Sequence, residues 1–130
     1  MSAFAVSLED KPGELARLCE AMASNGVNLL LCATTYSGSA VAAFIADDED
    51  SAQEVLEAAE IEYLMRPALT VKLANLPGAG AAAFRKLADA GVNVDLLLPV
   101  RIFDELFFAV ICVDDEAAAR AALGDQVIGG

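Results

Sequence analysis

The sequence predicts an α+β protein made of two like halves, and three observations carry that expectation. Two glycine-bearing segments, from Asp10-Lys11-Pro12-Gly13 to Gly26-Val27-Asn28 and from Asn75-Leu76-Pro77-Gly78 to Gly91-Val92-Asn93, repeat at a constant offset of 65, as the pairs Pro12/Pro77, Gly13/Gly78, Gly26/Gly91 and Asn28/Asn93 show. Framework positions Ala16/Ala81, Met22/Leu87, Ala23/Ala88 and Leu31/Leu96 match at the same offset, so the repeat extends beyond the turns. Within each half, period-two and period-3.6 apolar patterns alternate.

In the first half, Phe4, Val6 and Leu8 alternate with Ala5 and Ser7, the pattern of a half-buried strand that Glu9 to Gly13 breaks. Leu15, Leu18, Cys19 and Met22 then recur on one helical face, from near Pro12 to a stop before Gly26. Val27 to Tyr36 reads as a strand, Ser37-Gly38 as a tight turn, and Val41 to Ala46 as the return strand, both strands being expected to be mostly buried. Asp47 to Asp50 places acid ahead of a second helix, and Ser51-Ala52-Gln53-Glu54 has the form of a capping box. Ile61 to Met65 offers a fourth strand.

The second half repeats this order, with strands expected near 68–74, 92–101, 105–113 and 126–128 and helices near 78–90 and 115–123. The result is a tandem ferredoxin-like βαββαβ arrangement, residues 1–66 and 67–130, each unit an antiparallel sheet with its helices on one face. Arg66-Pro67 is too short a junction for a flexible linker, so the two sheets are expected to lie against each other. The uncovered sheet face needs a covering layer. A hydrophobic content of 57% and a mean hydropathy of +0.52 predict that a second chain supplies it, in a homodimer or higher homo-oligomer.

Composition excludes several functions. A net charge of −12 repels nucleic acid and anionic membranes. The longest fully apolar run, Leu106 to Val113, is short of the roughly 18 residues of a spanning helix, so a cytoplasmic protein without membrane association is expected. Cys19, Cys32 and Cys112 have neither metal-ligand nor disulfide spacing and read as small buried hydrophobes; with no histidine in the chain, none has a base to activate it. The Asp47 to Asp50 run lacks the spacing of a calcium loop. No metal, cofactor or catalytic residue is therefore assigned. Charge is uneven: residues 1–65 carry 2 basic and 12 acidic side chains, residues 66–130 carry 6 and 8.

The pattern Asp-x-Pro-Gly-x-Leu after a first strand, with Gly-Val-Asn closing the first helix, resembles the ACT domain, an amino-acid-sensing module of metabolic enzymes. It stands here as Asp10-Lys11-Pro12-Gly13-Glu14-Leu15 and Gly26-Val27-Asn28, and the resemblance spans the chain as two copies. It implies a free-standing regulator that binds a free amino acid where ACT units meet, without catalysis, and that signals through dimer geometry or a metabolic enzyme partner. The residues themselves supply a physical basis. Pro12 presets helical φ, Gly13 admits close backbone approach, and first-turn N–H groups can meet a carboxylate. Asp10 can take the ammonium, and Asn28, which the resemblance places across the interface, offers an amide donor and acceptor next to Leu29.

The second copy supplies Asn75, Leu76, Pro77, Gly78 and Asn93 but departs from the pattern. Asn75 lacks the anion of Asp10, and Gly80 replaces Leu15, so Gly78-Ala79-Gly80 is expected to loosen the helix start. The same motifs also make a good strand-to-helix turn and helix stop without any ligand. An assembly module that pairs units ligand-free, alongside a metabolic enzyme or regulator, is thus the alternative. A cofactor-free enzyme using Asp10 or Lys11 is the weakest reading.

Overall fold

The computed structural model describes all 130 residues. The chain divides into two compact units, Ser2–Arg66 and Pro67–Gly130, the latter joined by Met1. The first unit holds β1 (Ser2–Leu8), α1 (Glu14–Ser24), β2 (Leu29–Tyr36), β3 (Ser39–Ala46), α2 (Glu49–Ala58) and β4 (Tyr63–Pro67). The second holds β5 (Leu69–Ala74), α3 (Ala79–Asp89), β6 (Val94–Phe103), β7 (Leu106–Val113), α4 (Glu116–Leu123) and β8 (Val127–Gly129). Strand order is β2-β3-β1-β4 in one sheet and β6-β7-β5-β8 in the other, the tandem βαββαβ arrangement expected from the sequence.

Each unit has its own core, built on one sheet face. In the first, Phe4, Val6, Ala42 and Phe44 of the sheet meet Leu18 and Met22 of α1 and Ala52, Val55 and Leu56 of α2. Phe4 and Phe44 are register partners across β1 and β3, and their rings stack with centroids 5.0 Å apart. In the second unit the corresponding cross-strand pair is aliphatic, Leu69 opposite Ile111, packed with Ala83, Leu87, Ala119 and Leu123.

These core positions reveal a change in the repeat offset. Before the hairpin the units correspond at 65, as in Phe4/Leu69 and Met22/Leu87; after it they correspond at 67, as in Phe44/Ile111 and Leu56/Leu123. The β2–β3 ladder is regular, whereas β6 breaks register against β7 between Val94 and Leu96 and again between Pro99 and Arg101. Asp95 and Val100 are therefore bulged residues that absorb the two extra positions. Leu31 is consequently equivalent to Leu97, not to Leu96 as the ungapped match suggested: Leu31 pairs with Phe44 and Leu97 with Ile111.

Three expectations need correction. β2 is not mostly buried: as an edge strand it half-buries Leu29 and Leu31 against the core and leaves Leu30 and the residues from Cys32 to Tyr36 exposed or on the uncovered face. The capping box lies three residues too late, because the N-cap of α2 is Asp48, which accepts from Ser51 N at 3.1 Å and from Ser51 Oγ at 2.7 Å. Cys19 and Cys32 are exposed and Cys112 alone is buried. Leu18 and Met22 take the core side of α1, and Cys32 sits on the sheet face opposite Leu31. No helix is long and apolar enough to cross a membrane.

Candidate functional site

Gly13 and Gly78 are the N-caps of α1 and α3, both left-handed, at φ 92°, ψ −12° and φ 90°, ψ −13°. A side chain with a Cβ is strained there, which is why glycine follows proline in both turns. In its geometry α3 starts as regularly as α1, and the two N-caps match in dihedrals within 2°. Neither helix has a side-chain cap, whereas α2 and α4 are closed by Asp48 and Asp115. The helices that follow the Pro-Gly turns are the two whose first-turn N–H groups are left to other partners.

Beside the first turn lies a cavity of about 360 Å3, within the range of about 300–1,000 Å3 usual for small-molecule sites. The β1–α1 loop lines it with Glu9, Asp10 and Lys11, the first turn of α1 with Glu14 and Leu15, and the β2–β3 hairpin with Thr34, Thr35, Ala40 and Val41. Glu14 is the one buried charged residue of the chain. Its carboxylate accepts from Arg17 at 2.9 and 3.2 Å and lies 3.6 Å from Lys11 Nζ. Lys11 also pairs with Glu9 at 2.7 Å, and this contact holds the Glu9 carboxyl below its ordinary pKa and the Lys11 ammonium above its own.

The structure does not gather all the sequence-derived candidates in one place. Within the first unit, Asp10 to Leu15 sit at the end of the sheet where Leu8 pairs with Ala40. Asn28 sits at the far end, beside Asp47; the seven steps from Ala40 to Asp47 span about 23 Å at ~3.3 Å per residue. Asn28 and the Asp10 loop of one unit therefore cannot hold one small molecule together. Leu29 turns toward the core. Asn75, Leu76, Pro77 and Gly78 are likewise separated along the sheet from Asn93, which stands beside Asp114.

Sequence reading missed what holds the two asparagines. Asn28 N donates to Asp47 Oδ1 at 2.9 Å while Asp47 N donates to Asn28 O at 3.1 Å. Asn93 and Asp114 repeat the pair at 2.8 and 3.2 Å. These bonds fix the backbone at the start of β2 and β6. Asn93 also donates its side-chain amide to Asp95 at 2.7 Å. The available signal was the doubled Asp-Asp, Asp47-Asp48 and Asp114-Asp115, which repeats at 67 rather than 65.

No family model and no curated protein matches the chain. Among solved structures it is similar to protein BT0572 from Bacteroides thetaiotaomicron, with a TM-score of 0.83 at 20% identity over 98% of this chain and 91% of that one. It is also similar to the regulatory subunit of aspartate kinase from Thermus thermophilus in its ligand-free form (TM-score 0.70, 21% identity, 96% of this chain and 91% of that one). The corresponding subunit from Thermus flavus gives a TM-score of 0.69 at 22% identity with the same coverage. The chain thus shares with these regulatory subunits a fold of two βαββαβ units, each opened by a Pro-Gly turn and carrying a Gly-Val-Asn stop after its first helix.

Proposed function

We propose that the protein is a regulatory module that binds a free amino acid at the first unit and has no catalysis of its own. The observation that carries this reading is the uncapped N-terminus of α1 opening beside a cavity that also holds carboxylates. First-turn N–H groups and the helix dipole suit the ligand's carboxylate, while Glu9 and Asp10 suit its ammonium. The names of the structural neighbours, regulatory subunits of aspartate kinase, support a regulatory role. Asn28 enters such a site only from another ACT unit, consistent with binding where units meet and with a homo-oligomer. A metabolic enzyme is the expected recipient of the signal, in the cytoplasm.

One observation favours the ligand-free assembly module. Glu14 already brings a carboxylate to the first turn of α1, and Arg17 and Lys11 neutralise it, so the turn is electrostatically satisfied as it stands. Thermal shift against the free amino acids separates the two readings. Ligand at about 100 times its Kd adds about 2.7 kcal/mol to the native state and raises Tm by several degrees. A single clear hit supports the sensor, and uniform silence from folded protein supports the assembly module.

A further inference from the structure

Resting on that ligand reading, we propose that the chain takes one ligand, at the first unit, and that the second unit is a closed copy whose equivalent cavity is filled and latched by its own residues. Register fixes the equivalences. Thr34, Thr35, Ala40 and Val41 of the first hairpin correspond to Arg101, Ile102, Phe107 and Phe108 of the second, since Thr34 faces Val41 and Thr35 faces Ala40 as Arg101 faces Phe108 and Ile102 faces Phe107. Every one of the four is larger in the second unit. Phe107 packs against the second core, and Arg101 lies over the Phe103 ring at 4.6 Å. On the helix side Gly80 replaces Leu15, but Phe84 takes up the room: a Cβ on Gly80 would stand 3.6 Å from its ring.

The lips of the second site are also joined. Asn75 N donates to Glu105 O at 2.8 Å, tying the β5–α3 loop to the β6–β7 turn. In the first unit the loop closes on itself, Lys11 N to Glu9 O at 3.0 Å, and the cavity lies between that loop and the hairpin. Charge points the same way. Glu9, Asp10, Lys11 and Glu14 become Ala74, Asn75, Leu76 and Ala79, so an ammonium finds no carboxylate on the second loop.

The test uses the full chain and each of the common amino acids as probes, first by thermal shift and then, for the amino acid giving the largest shift, by calorimetric titration. The expected result is one site per chain. Thr34→Arg, which carries the second unit's residue into the first, weakens binding by about tenfold or more, and Phe108→Val leaves affinity and stoichiometry unchanged. Thr34 is exposed, so the variant should fold; Thr35→Ile, also exposed, gives the same direction of loss if it does not. Two sites per chain, or binding that survives Thr34→Arg and is lost on Phe108→Val, overturns the closed copy while amino-acid binding stands. Silence from every amino acid overturns the ligand reading and the closed copy with it.

Discussion

The two Pro-Gly turns have one backbone and two chemistries. Gly13 and Gly78 adopt the same left-handed dihedrals, and α1 and α3 run for eleven residues each. Around the first turn the side chains are charged and the opposing hairpin carries small residues; around the second they are uncharged and the hairpin carries two phenylalanines and an arginine. Backbone geometry here is set by the turn and by the core beneath it. The side chains around the turn are free of that constraint, so duplication can keep the fold in both copies while the chemistry around the turn diverges.

The largest test asks whether the cores really are separate. Phe44→Ala removes half of the stacked Phe4–Phe44 pair and should cost the first unit about 3–5 kcal/mol, Ile111→Ala the second unit about 2–5 kcal/mol. Urea unfolding followed by a probe in each unit should show each substitution shifting mainly its own unit's transition. Equal shifts in both would show that the units unfold as one body and that the comparison between them is one of side chains only.

Next in size is the shared turn geometry. Gly13→Ala and Gly78→Ala each place a Cβ at φ near +90°, with open space around it, so the cost is the strain of the left-handed backbone alone, about 1–2 kcal/mol. The two losses should agree closely in denaturant midpoints. A much smaller loss at Gly78 would mean that the second turn relaxes where the first cannot.

The order of elements and the two turns could be read in advance because each rests on local chemistry: alternating apolar residues, Pro-Gly pairs, Gly after a helix. What could not be read depends on pairing across strands. The run from Val94 to Phe103 shows no sign that Asp95 and Val100 bulge, because a bulge is a relation between β6 and β7. A constant offset therefore hid a slip of two, and with it the true partners of Thr34 and Thr35. Burial of Cys32 failed similarly, since only sheet order makes β2 an edge. Asp10 and Asn28 looked like one constellation in sequence, but an antiparallel sheet puts the end of β1 and the start of β2 far apart.

The helix caps give a smaller contrast. Asp115 accepts from Ala118 N at 3.0 Å, and Asp115→Ala should cost about 1 kcal/mol, read as a lower urea midpoint for the second unit. Asp48 makes the same backbone bond and adds the Ser51 hydroxyl, so Ser51→Ala probes an element that α4, with Ala118 at that position, lacks. It should lower the first unit's midpoint by less than Asp115→Ala lowers the second's.

Smallest of all is the effect of acid on that first cap. The Ser51 hydroxyl and amide, which donate to the Asp48 carboxylate, hold its pKa below the ordinary 3.8. A carboxyl depressed on folding stabilises the native state fully above its unfolded pKa and loses that contribution as pH falls through the folded value. The stabilisation from Asp48 should therefore be constant from neutral pH down to about 5 and decline below 4. Ser51→Ala removes the hydroxyl and should make the decline shallower. Because the group is exposed, the difference will be slight and is best followed by NMR titration of the Asp48 carboxyl in the two proteins. An unshifted titration in the parent chain would show that the Asp48–Ser51 pair does not persist in solution, and with it the distinction between the α2 and α4 caps would vanish.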